Sequence, residues 1–170
     1  MSYSISTLLL RNLSDVFGEN DPVRRRAAID DIWNEDGVFY DPNGGIYRGR
    51  DEIDRIAGVI KATHPDFKYQ PLSPPEELSD AGRVRWVSGT PGKPPAYAGT
   101  DFVVARNGRI AAIYMFFDSL PLHWLAKNPH YIHHGFALGH LSVIGRTRPV
   151  IATRAEFPQP HYAPKAARTS

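Results

Sequence analysis

The chain of 170 residues contains no cysteine. That excludes a disulfide framework, a thiolate metal site and a cysteine nucleophile. Long apolar runs are also missing. Leu8 to Leu10 and Ile110 to Phe117 are the longest, and neither can cross a bilayer. The first residues have no basic start followed by a long apolar stretch, so we expect no secretory leader, no membrane partner and a cytoplasmic location. No phosphate-cradling glycine loop, Gly-x-Ser-x-Gly elbow or His-Glu-x-x-His pair occurs. Acids are nearly absent from the end of the chain. Residues 119–170 hold one, Glu156, against 6 Lys+Arg, whereas residues 1–118 hold 17 acids against 14 Lys+Arg. The net charge of +2 therefore belongs to the tail. No basic-aromatic groove accompanies it, so nucleic acid is not an expected partner.

What is present reads as helices followed by strands. Ile5, Leu8, Leu9, Leu13, Val16 and Phe17 form a helical stripe that Gly18 closes. Asn20-Asp21-Pro22 opens a second helix, which the pattern carries to about Trp33. Val23, Ala27, Ala28 or Ile29, and Trp33 are its expected buried face, with Arg24 to Arg26 solvated. A short strand, Gly37 to Tyr40, ends at Asp41-Pro42, and Asn43-Gly44-Gly45 is a turn. A third helix is expected over 51–62 and closes at His64-Pro65. Period-two alternation then marks strands around Phe67 to Tyr69, Val84 to Ser88, Tyr97 to Arg106 and Ile110 to Phe117. Asn107-Gly108 between the last two suits a two-residue type I′ hairpin. Helices segregated from an antiparallel run of strands predict an α+β fold. The expected division is a domain over 1–118 and a basic, Pro- and His-rich extension over 119–170, with a short helix from Leu120 to Ala126.

Two carboxylates stand out. Asp101 lies in Tyr97 to Ala105, an otherwise uncharged strand, and both faces of that strand read as largely buried. Burial raises a carboxyl pKa and equips the group to act as an acid or to donate to an oxyanion. The structural alternative is an ion pair with Arg83 or Arg85. Asp41 ends a strand before a glycine-rich turn. It is either a turn residue or a general base at a pocket mouth. Aromatic residues on the concave side of a curved sheet suit a flat apolar ligand. The candidates are Trp33, Tyr40, Tyr69, Trp86, Tyr97, Tyr114 and Phe116. His130, His133, His134 and His140 have metal-ligand chemistry but lack predicted structure and neighbouring acids, so no metal is expected.

Several segments together resemble the nuclear transport factor 2-like superfamily, specifically its SnoaL-like polyketide cyclase and ketosteroid isomerase-like branch. They are Trp33 to Pro42, Tyr47-Arg48-Gly49-Arg50-Asp51-Glu52-Ile53, and Gly99-Thr100-Asp101-Phe102 with Asn107-Gly108-Arg109-Ile110 and Phe116-Phe117-Asp118. The resemblance implies a cone-shaped α+β barrel with three helices packed into a curved sheet around a pocket. It implies that Asp41 matches the isomerases' general base and Asp101 their late-strand acid. The chemistry implied is proton transfer next to a carbonyl without a cofactor, giving isomerisation, cyclisation or dehydration of a small apolar molecule in the cone. A homodimer is also implied. Leu13 to Phe17 contains no Tyr where the isomerases carry an oxyanion Tyr, and the Asp-Arg-Asp trio of limonene epoxide hydrolases is not evident. A non-catalytic ligand-binding or dimerisation module of the same fold is the alternative.

Overall fold

The computed structural model describes residues 2–120. The helix expected from Leu120 onward, save its first residue, and the tail histidines fall outside them. Helix α1 (Ile5–Arg11) starts at Ser4, whose Oγ accepts from the Thr7 amide at 3.1 Å. The stripe predicted one continuous α-helix, but the winding changes at Asn12. Residues Asn12–Phe17 form a π-helical segment. Its wider turn brings Asn12, Leu13, Val16 and Phe17 inward together, and such segments concentrate at functional sites. Helix α2 (Pro22–Ile32) is capped by Asp21, which accepts from the Val23 and Arg24 amides.

The inner face of α2 differs from the expected one. Arg25, Ala28, Ile29 and Ile32 form the buried stripe at i, i+3, i+4 and i+7. Val23 lies off that stripe and is 77% exposed. Arg25 is buried rather than solvated, with Nε donating to Asp54 of the third helix at 2.7 Å. Trp33 does not end the helix but begins strand β1 (Trp33–Tyr40). After the turn at Asn43 comes β2 (Ile46–Arg48), then α3 (Gly49–Thr63), whose Ile53, Ile56 and Ala57 are buried.

Five strands follow: β3 (Lys68–Pro71), β4 (Glu76–Leu78), β5 (Ala81–Gly89), β6 (Tyr97–Arg106) and β7 (Arg109–Asp118). The curved, unclosed sheet runs β2-β1-β7-β6-β5-β3, with β4 on β5. Strand β1 joins β7 in parallel, so the sheet is mixed rather than wholly antiparallel. Asn107 and Gly108 have φ of 56° and 69°, the two positive values that a type I′ turn requires. The three helices bury their stripes on the concave side, where Leu8, Leu9, Ile29, Ile53, Val103 and Ile113 are fully enclosed. This is the expected α+β cone.

Candidate active site in the cone

Strand register builds the site. On β6 the inward positions Gly99, Asp101, Val103 and Ala105 are buried. The outward face was expected to be buried as well, yet it carries Phe102 at 39% exposure, because no helix covers that side. Asp101 is therefore the charge-bearing residue on the closed face. It pairs in register with Val84 on β5 and Met115 on β7. Asp41 follows the last β1 pair, Tyr40 with Tyr114, so it falls in the row of Met115. Met115 thus lies between the two acids. They sit two strand spacings apart, roughly 10 Å between backbones.

Both acids line one cavity. Counted with its open mouth, the cavity holds about 770 Å³ of atom-free space. Its walls include Leu13 and Phe17 of the π-helical segment, Phe39, Ile60, Phe67, Tyr69, Trp86, Tyr97, Met115 and Phe117. Three of the seven expected aromatic walls, Tyr69, Trp86 and Tyr97, are among them. The other four do not line it. Trp33 is wholly enclosed in the core, its Nε1 donating to Asn12 Oδ1 at 3.1 Å. Tyr40 and Tyr114 stack on each other at 4.5 Å, and Tyr114 and Phe116 are exposed on the convex face. The alternation is real, but these residues lie on the other side of it.

The environments of the two acids differ. Asp101 is 3% exposed, and its Oδ1 accepts from Trp86 Nε1 at 2.8 Å. Desolvation pushes its pKa up to about 7, against the weaker opposing pull of Trp86 and Asn12. The Arg pairing considered for it is not formed. Arg83 bonds Glu76 and Arg85 faces Asp118, both outside the cone. Asn12 explains part of the balance. Its Oδ1 is committed to Trp33, so its amide nitrogen is the end left for Asp101, although Nδ2 makes no hydrogen bond of normal geometry. Asp41 combines both roles considered for it. Its Oδ1 accepts from the Asn43 amide at 2.6 Å, and its backbone closes the turn with Gly44 and Gly45. It also borders the cavity, and burial raises its pKa, opposed by Asn43.

Glycine makes room for the Trp86–Asp101 contact. A Cβ on Gly99 would stand 2.5 Å from Trp86 Cζ2 and 2.8 Å from the Phe116 carbonyl oxygen. The bare strand leaves room for the indole to pass over it and reach Asp101.

The profile of the SnoaL-like domain family matches residues 10–113. The chain belongs to this family. Among solved structures, a provisionally named isomerase of the SnoaL-like family from Agrobacterium tumefaciens is 23% identical. It covers 68% of this chain and 97% of its own, with a TM-score of 0.63. A provisionally named SnoaL-like polyketide cyclase from Jannaschia is 11% identical, covers 66% and 83%, and has a TM-score of 0.55. A Catenulispora acidiphila protein with a ketosteroid isomerase-like fold, solved with trimethylamine, is 15% identical, covers 69% and 88%, and scores 0.54. At these identities the likeness shows the fold. No curated protein matches the sequence.

The cavity of this SnoaL-like chain also contains polar groups that the sequence patterns did not single out. Lys61 and His64 line it from the end of α3. His64 stacks on Phe67 at 4.3 Å, and its Nε2 lies 3.4 Å from the Tyr97 hydroxyl. Burial lowers its pKa, which favours the neutral ring at pH 7. Ser88 adds a buried hydroxyl on β5. Lys61 and His64 both carried a signal, because Lys61 continues the buried row Ile53, Ala57 and His64 follows Ile60 by one turn. Among the described residues no His, Asp and Glu group has metal-site geometry, and no helix is long and apolar enough to cross a membrane.

Proposed function

We propose that the cone catalyses cofactor-independent proton transfer next to the carbonyl of a small, largely apolar substrate of polyketide- or steroid-like shape. The observation that carries this reading is Asp101, a carboxyl enclosed at the floor of an apolar cavity with no cation beside it, in the same row as Asp41. Asp41 is the base. Its carboxylate keeps the Asn43 amide bond that favours ionisation, and it takes the proton from the carbon α to the carbonyl. The C–H electrons move into the C–C bond and the carbonyl becomes an enolate. Asp101, in its acid form, donates a hydrogen bond to that oxygen as its charge grows. Ketosteroid isomerases set the precedent for a catalytic carboxylic acid that an apolar site keeps neutral. From the enolate, return of the proton from Asp41 to another carbon gives isomerisation, attack on a second carbonyl with that proton passing to the new alkoxide gives cyclisation, and loss of a β-hydroxyl as water, carrying the same proton, gives dehydration. No cofactor takes part in any of these routes.

Deuterium exchange at the α-carbon of 2-tetralone in D₂O, followed by proton NMR, tests the reading without knowledge of the natural substrate. Wild type accelerates exchange. Asp41→Asn lowers that acceleration by about 10²–10⁴-fold. Asp101→Asn, which exchanges a carboxylic acid for a weaker amide donor, lowers it by about 10-fold or more. Exchange unaffected by either change contradicts the mechanism. Binding of 2-tetralone without exchange instead supports the non-catalytic ligand-binding reading, which the purely apolar contribution of Leu13 and Phe17 from the first helical arm favours.

The second copy in a homodimer sits, on the same reading, against the convex face, where Phe102, Tyr114 and Phe116 are exposed.

A further inference from the structure

Lys61 is 4% exposed, an unusual state for a lysine. Its Nζ donates to the Phe67 carbonyl oxygen at 2.6 Å. Among the described residues no carboxylate lies within ion-pair distance of it, although Arg11, Arg24, Arg25, Arg26 and Arg55 all have such partners. One carbonyl satisfies one of three ammonium donors. A cation held this way has no direct ion-pair partner, Asp66 and Glu19 acting on it only from farther away, and its side chain borders the cavity. Burial accordingly lowers its pKa, with Lys68 adding to the effect and Asp66 and Glu19 opposing it more weakly.

The cavity has two polar ends. Asp101 marks the floor, with Asp41 in the same row two strands away. Tyr97 lies four residues before Asp101 on the same face of β6, which separates their backbones by roughly 13 Å. Tyr97 touches both His64 and Phe67, the ring and loop next to Lys61. Between the two ends the walls are Trp86, Tyr69, Leu13, Phe17 and Met115.

We propose that the substrate is an anion, a flat apolar body with a carboxylate at one end, and that Lys61 binds that carboxylate at the end of the cavity away from Asp101. This rests on the proton-transfer reading and deepens it by naming the group at the substrate's far end. The ammonium keeps its bond to Phe67 and turns its remaining donors to the ligand. The neutral His64 ring and the Tyr97 hydroxyl flank the carboxylate without competing for its charge. An anion there supplies the direct partner that Lys61 lacks, and the reacting carbonyl is then directed toward Asp41 and Asp101. A second negative group at the other end would be repelled by the Asp41 carboxylate, so the polarity of the cavity also fixes which end enters first.

Isothermal titration calorimetry at pH 7 with trans-cinnamic acid and trans-cinnamamide tests this, because the two differ in charge and little in shape. Wild type is expected to bind the acid at least tenfold more tightly than the amide. Lys61→Gln should weaken acid binding tenfold or more while leaving the amide within twofold, and Lys61→Arg should restore the preference. Circular dichroism and thermal unfolding check that each variant is folded. The wild-type comparison is decisive without any variant. Equal or tighter binding of the amide, no binding of either probe at millimolar concentration, or a preference that survives in Lys61→Gln overturns the proposal. The readout is affinity, so it fails separately from the exchange experiment, which reads Asp41 and Asp101.

Discussion

The same functional group meets opposite surroundings inside the cone and on the outer surface of the molecule. Outside the cone, many carboxylates are paired with arginines. Arg24 donates two hydrogen bonds to Glu19 and holds its pKa down to about 2. Arg11 and Tyr3 hold Asp31 below the usual range, and Arg106 does the same for Asp36. Inside, Asp41 and Asp101 have no cation, and burial drives both upward. The outer acids are arranged for the folded state. The inner ones burden it, which is the usual sign of a group retained for chemistry rather than for stability.

The largest expected effect follows from Asp101. Its folded pKa, about 7, lies above its unfolded value of 3.8. Between those limits the native state binds a proton that the unfolded state has lost, so stability falls as pH rises through the window and levels off above it. The full rise corresponds to a cost of the order of 4 kcal/mol. Asp101→Asn removes the titration and keeps an acceptor for Trp86. The variant should unfold at a higher temperature than wild type at pH 8, and the gap should close as pH falls toward 4. Thermal unfolding by circular dichroism at pH 4, 6 and 8 checks this. A gap that does not vary with pH would mean that Asp101 is not the buried acid the inner face requires. Glu19 has the opposite sign. Its folded pKa is depressed, so its contribution is present above the ordinary carboxylate range and fades as pH falls toward 2.

Much of this contrast could be read from the chain. Asp101 stood out as the single charge in an uncharged strand, and Asn107-Gly108 fixed the hairpin that carries it. The helical stripes of Ile5 to Phe17 and Ile53 to Ala57 located two of the three helices. Other features depend on long-range pairing that a local pattern does not contain. Period-two alternation says that Tyr114 and Phe116 share a face, but not that the face is convex. That side is set by which surface the three helices cover. The parallel contact of β1 with β7 joins residues more than 70 apart, and it alone brings Asp41 into the row of Asp101. The burial of Arg25 depends on Asp54 arriving from another helix. The π-helical turn at Asn12 leaves no mark in a pattern that fits an α-helix nearly as well.

A smaller effect is expected where the inner face is most crowded. In Gly99→Ala the new methyl meets both the Trp86 ring and the Phe116 carbonyl, and the backbone atom cannot move aside as a side-chain end would. Overpacking of this kind costs about 1–3 kcal/mol. The indole must shift, which lengthens or breaks its bond to Asp101 Oδ1. That bond favours the ionised form, so its loss should raise the Asp101 pKa further. Carbon-13 NMR titration of the carboxyl gives the answer directly. A lower or unchanged pKa in a folded Gly99→Ala protein would show that Trp86 does not regulate the acid.

The smallest effect on the fold is expected on the convex side. Phe116 neighbours Phe117 in sequence yet points the other way. Phe117 borders the cavity although it is 46% exposed, whereas Phe116 does not border it and is 56% exposed. Phe116→Glu removes little packing within one subunit, and its effect on the stability of the isolated subunit should stay within about 0.5 kcal/mol. Its effect on association should be large if a second copy covers this face, because a buried unpaired carboxylate opposes an apolar interface. Size-exclusion chromatography with light scattering should find wild type dimeric and Phe116→Glu monomeric. A monomeric wild type, or a variant that remains dimeric, refutes the assignment of the convex face. The monomeric variant also shows whether the inner face depends on the outer one. Asp41, Asp101 and Lys61 all come from one chain, so it should retain 2-tetralone exchange and the preference for cinnamate.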